Sequence, residues 1–260
     1  MSPSPYSILL LAGIAVSIAL WSRLARRDER LLIIYIAALV SAFLGAKLVY
    51  LAAEGWMFWR SPDRWLIWAT GKTILGALLG GYAGVELAKK FTGYSQPTGD
   101  LFAIVAPIGI ILGRIGCLLH GCCLGRVCEP HWWTLRDARG IERWPAVPVE
   151  IGFNAAALGV FLILQRRGAE ARKRAVVSSG AASSSSALLR LRGQYFHLYL
   201  IGYGLFRFAH EFLRATPRLG FGFTGYQVAA LAVAGLGVGG FLRRRGGDSR
   251  SAGRRRGGGE

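Results

Sequence analysis

Between Gly113 and Cys128 the chain reads GRIGCLLHGCCLGRVC, which holds two arginines, one histidine and all four cysteines of the protein. This set sits at the end of an apolar run. Three chemistries fit it: a metal or disulfide cluster, a catalytic site at a membrane surface, or a helix end rich in small thiols. Cys117, His120, Cys122, Cys123, Cys128 and His131 are enough side chains for zinc, but they lack the well-separated C-x₂₋₄-C pairs of familiar zinc sites. Disulfides such as Cys117 or Cys122 with Cys128 are open in an oxidising compartment. A bond between adjacent Cys122 and Cys123 is strained, and free cysteines also pack well. Disulfide or packing comes first, replacement polar lining second and metal third, so no metal and no cofactor are expected. A second reactive group lies in YLIGYGLFRFAHEFLR. There Tyr199, Tyr203, Arg207 and Glu211 recur every four residues, forming one helical stripe. Arg207 and Glu211 stand at the i, i+4 spacing of an ion pair.

The elements that must position these residues follow from composition. The 260 residues are 53% hydrophobic with a mean hydropathy of +0.38, yet the net charge is +18. Segregation of apolar from basic residues along the chain reconciles these values, as in an integral membrane protein. Apolar runs long enough to span about 30 Å of hydrocarbon occur near 3–21, 31–53, 65–88, 101–124, 147–165, 195–213 and 225–242. The predicted fold is therefore an all-α polytopic membrane bundle of about seven helices. The bundle occupies 1–242, with a disordered cytoplasmic loop near 168–193 and a disordered basic tail over 243–260. No Lys or Arg precedes the first run, so it reads as a retained helix and not as a signal peptide. The tail reads as a topogenic segment near anionic lipid, and no nucleic-acid partner is expected.

Of the 32 Lys and Arg, 20 fall in the first, third and fifth loops and the C-terminal tail, while 8 fall in the alternate loops. The positive-inside rule then places the N-terminus outside and the C-terminus in the cytoplasm. That topology brings Tyr6, Lys47, Lys72, Arg114, Glu150 and Arg207 to a similar depth in the outer half of the membrane. Charges there are costly and mark function. A shared cavity open to the outer leaflet accounts for them, and its basic lining suits an anion. Arginine in particular donates a bidentate fork to phosphate.

These residues resemble a known family. LGRIGCLLHGCCLGR is similar to the signature of bacterial prolipoprotein diacylglyceryl transferases, G-R-x-G-N-F-x-N-x-E-x-x-G-R, through Gly113, Arg114, Gly116, Gly125 and Arg126. Asp100 and Pro107 fit the approach to it. YLIGYGLFRFAHEFLR resembles the family's sixth helix through Gly202, Tyr203, Gly204, Arg207, Glu211 and Arg214. FLGAKLVY resembles its G-G-R-x-G-Y motif with Lys47 for arginine, and WPAVPVE its H-P-x-x-L-Y-E segment through Pro145 and Glu150. Tyr6 fits the tyrosine opening the first helix, and Gln227 the start of the seventh. The chain departs from the family at Leu75, which replaces the histidine of H-G-G-L-I-G. Cys117 and His120 replace the two Asn of the signature, and Cys122 replaces its Glu.

The resemblance implies transfer of a diacylglyceryl group from phosphatidylglycerol to the lipobox cysteine thiol of secreted prolipoproteins, at the bacterial plasma (inner) membrane. It implies phosphatidylglycerol, the prolipoprotein signal peptide and membrane lipid as partners. Arg114 and Arg207 would hold phosphate, Glu211 orient Arg207, Tyr203 position the glyceryl region, and His120 accept the proton. Tyr6, Lys47, Lys72, Gly116, Gly125, Arg126 and Glu150 would line the substrate path, with Arg126 at the outer rim. Two alternatives stay open: a non-catalytic anionic-lipid-binding membrane protein without the base, and a redox or metal membrane protein built on the cysteines.

Overall fold

The computed structural model describes residues 11, 13–16, 18, 19, 21, 22, 28–177, 191, 193–219 and 222–256, with side chains of 172–177 and 246–256 outside that description. Tyr6 lies outside the described residues. Helix α1 (Arg30–Ala53) opens where Asp28 accepts the N–H of Arg30 at 3.0 Å. A 3₁₀ turn (Gly55–Phe58) and the short α2 (Arg64–Thr70) lead into α3 (Ile74–Thr92) and α4 (Gly99–His120). A two-residue antiparallel pair follows, β1 (Leu135–Arg136) with β2 (Glu142–Arg143). Three helices complete the order: α5 (Ala146–Val177), α6 (Tyr195–Glu211) and α7 (Gly225–Arg256). Among the described residues, the regular elements are helical apart from one small strand pair.

The predicted third span, 65–88, is broken into α2 and α3. Gly71 is extended, and a Cβ there would meet the Tyr50 ring at 2.1 Å. Lys47 donates to the open C-terminal carbonyls of α2, Trp68 at 2.6 Å and Ala69, where a cation suits the helix end. The predicted fourth span stops at His120, because Gly121 turns left-handed at φ +68°. Helix continues through 168–177, in the stretch expected to be disordered; the Ala, Glu, Lys and Arg of that segment are strong helix formers. Helix also runs through 243–256 of the tail, and Gly246 and Gly247 give no local reason for it. Residues 178–190 of the loop lie outside the described residues.

Among the described residues, four helical segments are long and apolar enough to cross a membrane: Arg30–Ala53, Gly99–His120, Ala146–Ala171 and Gly225–Arg245. The outer face of α1 exposes Leu32, Ile33, Ile36, Val40, Phe43, Leu44 and Leu48. Such a continuous apolar outer face suits contact with lipid. Helix α6 is the inverse case. It buries Tyr199, Tyr203, Arg207 and Glu211 along the stripe read from the sequence. Its neighbours cover it, so its own polarity is tolerated.

Small residues let the helices approach. A Cβ on Gly45 would lie 2.4 Å from the Gly76 carbonyl, and one on Gly80 2.2 Å from the Ser41 carbonyl, so α1 and α3 meet backbone to backbone. Asp100 of α4 accepts the Gly193 N–H with its two carboxylate oxygens at 2.7 and 2.8 Å, just before α6. This acidic contact at the positive end of α6 fixes α4 against it.

Candidate functional site

One residue from each of three helices opens the site. Arg114 enters from α4, Glu150 from the first turns of α5, and Tyr203 from the middle of α6. Arg114 Nη2 donates to Glu150 Oε1 at 3.0 Å and lies 2.8 Å from Oε2. The Tyr203 hydroxyl donates to Glu150 Oε1 at 2.7 Å. One turn beyond Tyr203, Arg207 pairs with Glu211. Arg214, in the turn after α6, stands 3.8 Å from both Glu150 Oε2 and Glu211 Oε2. Glu150 is wholly buried, and Arg114, Arg207, Glu211 and Arg214 are each at most 9% exposed.

Supporting contacts hold these groups. Tyr199 donates to Asn154 Oδ1 at 2.7 Å, and Asn154 Nδ2 donates to the Glu150 carbonyl at 2.8 Å. Thr216 donates to Glu211 Oε1 at 2.5 Å. Trp144 Nε1 donates to His210 Nε2 at 3.3 Å. Past α4 the chain folds over the end of α6. Gly125 bridges to Arg214, where a Cβ would meet the Trp144 carbonyl at 2.1 Å. The Arg126 N–H donates to the Leu213 carbonyl at 2.9 Å, and its Nη1 to the Phe212 carbonyl at 3.2 Å.

Three cations face two carboxylates, which leaves the cluster with excess positive charge. It also leaves spare donors. Among the described residues, Arg114 Nε and Arg214 Nε and Nη1 are buried without a hydrogen-bond acceptor. Arg114, Arg207 and Arg214 line a cavity of about 2250 Å³. Its middle wall is apolar (Leu78, Ala106, Ile110, Leu112), and its far end is basic (Lys89, Lys90, Arg243, Arg244). Sites for small molecules measure roughly 300–1,000 Å³. This one has room for a large amphiphile with an anionic head at the arginines.

The structure brings together Arg114, Glu150, Tyr203, Arg207 and Glu211. Lys72 and His120 line the same cavity, His120 at the exposed end of α4. Lys47, Gly116, Gly125, Arg126, Glu150, Tyr203 and Glu211 are not among its lining residues; the last three lie fully buried behind the arginines. Lys47 is engaged with the end of α2, Gly116 is buried within α4, and Gly125 and Arg126 stitch the loop to α6. Leu75 is fully buried in the core and does not reach the cavity. Sequence reasoning left out Arg214 as a site residue; it stands three residues after Glu211, in the turn past the end of α6. It also left out Asn154, four residues after Glu150 on the same face of α5. His210 and the Tyr226–Glu54 hydrogen bond (2.6 Å), whose two residues line the cavity, carry no comparable pattern.

All four cysteines are free. The Sγ atoms of Cys117, Cys122 and Cys123 lie within 4.8 Å of one another, and Cys117 and Cys123 are 3.9 Å apart. The turn that gathers them uses Gly121 and also Cys123, a non-glycine residue at φ +60°. The positive charges of Arg114 and Arg214 both act on Cys123.

Comparison with known proteins gives a consistent result. A family model described as "Prolipoprotein diacylglyceryl transferase" matches residues 4–243. The chain is 29% identical over 201 residues to the phosphatidylglycerol–prolipoprotein diacylglyceryl transferase of Azospirillum brasilense, covering 75% of this chain and 69% of that one. It is 25% identical over 253 residues to the enzyme of the same name from Dehalococcoides mccartyi, covering 92% and 88%. The Methylocella silvestris enzyme is 29% identical over 224 residues, covering 82% and 75%.

Proposed function

The chain belongs to the prolipoprotein diacylglyceryl transferase family, and on that premise we propose that it transfers a diacylglyceryl group from phosphatidylglycerol to the lipobox cysteine thiol of secreted prolipoproteins. The acceptor sulfur attacks the glyceryl carbon. The carbon–oxygen bond to phosphate breaks, and its electron pair leaves with glycerol phosphate. The thiol proton must go to a base.

Charge develops on the leaving phosphate, so fixed cations there lower the barrier. Arg114 and Arg207 bind that phosphate, joined by Arg214 with its spare donors. Glu211 orients Arg207, and Glu150 orients Arg114. Tyr203, fully buried behind the cavity lining, fixes Glu150 and acts on the glyceryl region through it. Lys72 adds positive field at the mouth, and His120 takes the proton. Lys47, Gly116, Gly125 and Arg126 act from outside the lining, by holding the elements that carry it. The chain crosses the bacterial plasma membrane about seven times, with its N-terminus out and C-terminus in, which exposes the arginine end to secreted preproteins.

The observation that carries this reading is a cluster of three buried arginines, Arg114, Arg207 and Arg214, that lines a lipid-sized cavity. Complementation of a strain depleted of its own transferase tests it. Growth with lipidated prolipoprotein supports the reading, and failure despite normal expression overturns it. Leu75 favours a second reading, a lipid-binding protein without catalysis, because the family's histidine position is here sealed in the core. That reading requires phosphatidylglycerol binding with no transfer.

A further inference from the structure

The three thiols are unexplained by phosphate binding. Two thiolates 2.3 Å from one tetrahedral zinc ion are about 3.8 Å apart. Cys117 and Cys123 already stand at 3.9 Å, and Cys122 is within 4.8 Å of both. All three line the cavity beside Arg114. His120 also lines it but is not part of this close group, and Cys128 is outside it as well. Three thiolates with one divalent ion carry net negative charge, which the nearby Arg114 and Arg214 offset. Thiolate ligands select soft ions.

We propose that Cys117, Cys122 and Cys123 hold a single zinc-type ion whose open fourth position takes the acceptor thiol of the prolipoprotein. This rests on the transferase reading and supplies what Leu75 removes from it. A thiol coordinated to such an ion is deprotonated outright, and metal coordination is one way to activate a nucleophile. The acceptor S–H gives its proton to His120 or water on binding. The metal-bound sulfur then forms the carbon–sulfur bond as the carbon–oxygen bond breaks, and the phosphate leaves with the electron pair. The thioether, a weaker ligand than a thiolate, leaves the metal. The site thus departs from the sequence expectation of no metal. It also explains why three positions that a polar lining could fill are occupied by convergent thiols.

Cobalt(II) is the probe. The full-length protein in detergent, prepared anaerobically with reductant, is expected to bind one equivalent and to show sulfur-to-cobalt charge-transfer absorption. Cys117→Ser and Cys123→Ser each reduce that binding by more than roughly tenfold, since losing even an outer-shell partner of a ligand costs about that much, while Cys128→Ser leaves it unchanged. A lipobox peptide with its cysteine raises the charge-transfer band by about one third, the step from three to four thiolates, and the serine peptide does not. Four reactive thiols with no cobalt spectrum overturn the proposal, as does a Cys117–Cys123 disulfide in protein that binds no metal after reduction. Transfer activity that survives complete metal removal also overturns it and leaves the transferase reading standing. Metal bound with no transfer to prolipoprotein refutes the transferase reading while upholding the site itself.

Discussion

Replacing Arg214 with alanine separates binding of the anion from support of the fold. Arg214 sits 3.8 Å from Glu150 and from Glu211, beyond hydrogen-bond reach of either. Both carboxylates keep closer partners without it. Glu150 retains Arg114 and Tyr203, and Glu211 retains Arg207 and Thr216. Its Nε and Nη1 are the donors left for phosphate. Two hydrogen bonds to a charged group at about 1.5 kcal/mol each give about 3 kcal/mol, or roughly 150-fold in rate. Arg114→Ala is different, because it strips Glu150 of its near cation. Breaking a buried pair from one side costs about 3–5 kcal/mol, so that variant loses thermal stability along with activity. The assay pairs initial transfer rates in phosphatidylglycerol proteoliposomes with melting temperatures in detergent. Arg214→Ala is expected to lose about two orders of magnitude in rate with a near-normal melting temperature. A rate within threefold of wild type, or destabilisation equal to that of Arg114→Ala, refutes the reasoning.

Other outcomes follow from the same contacts. Tyr203→Phe removes one hydrogen bond from Glu150 and leaves Arg114 in place; it should cost about 1–3 kcal/mol, read as a roughly 5- to 150-fold slower transfer by a folded protein. Gly80→Leu places side-chain atoms where a Cβ already meets the Ser41 carbonyl at 2.2 Å; α1 and α3 must separate, and size-exclusion profiles should show loss of the monodisperse protein. Outside the membrane, the Arg143 guanidinium (2.6 Å) and the N–H groups of Ile141 and Arg139 hold the Asp137 carboxyl below its usual value of 3.8. A lowered folded pKa stabilises fully above the ordinary carboxylate range, and that support is lost as pH falls through the folded value. The fluorescence of Trp133 and Trp144, whose rings are 5.1 Å apart beside the strand pair, should therefore change on acidification below about pH 4. Asp137→Asn should show the weakened state already at neutral pH.

The Arg207–Glu211 stripe was legible in the sequence because a helix of period 3.6 converts i, i+4 spacing directly into one face. The convergence of Arg114 with Glu150 was legible only as shared depth, since composition and topology fix the height of a residue but not its azimuth. Lys47 shows that limit. It has the right depth, yet the break at Gly71 opens α2's carbonyls beside it, and the ammonium goes there. That break depends on Tyr50 packing against Gly71, a tertiary contact between α1 and the α2–α3 turn. Arg214 lies past the helix end, where periodicity stops being a guide, and the strand bridge to Gly125 holds its backbone in place. The cysteines were visible as a group, but their convergence depends on left-handed turns at Gly121 and Cys123 that spacing alone does not reveal.

With Leu75 at the family's histidine position, transfer itself is the activity to measure. The most direct measurement uses purified protein in proteoliposomes of phosphatidylglycerol with a lipobox substrate, followed by mass spectrometry of the substrate and quantification of released glycerol phosphate. Transfer leaves a diacylglyceryl thioether on the cysteine and releases one glycerol phosphate per modified thiol. Bound phosphatidylglycerol with an unmodified thiol and no glycerol phosphate would contradict it.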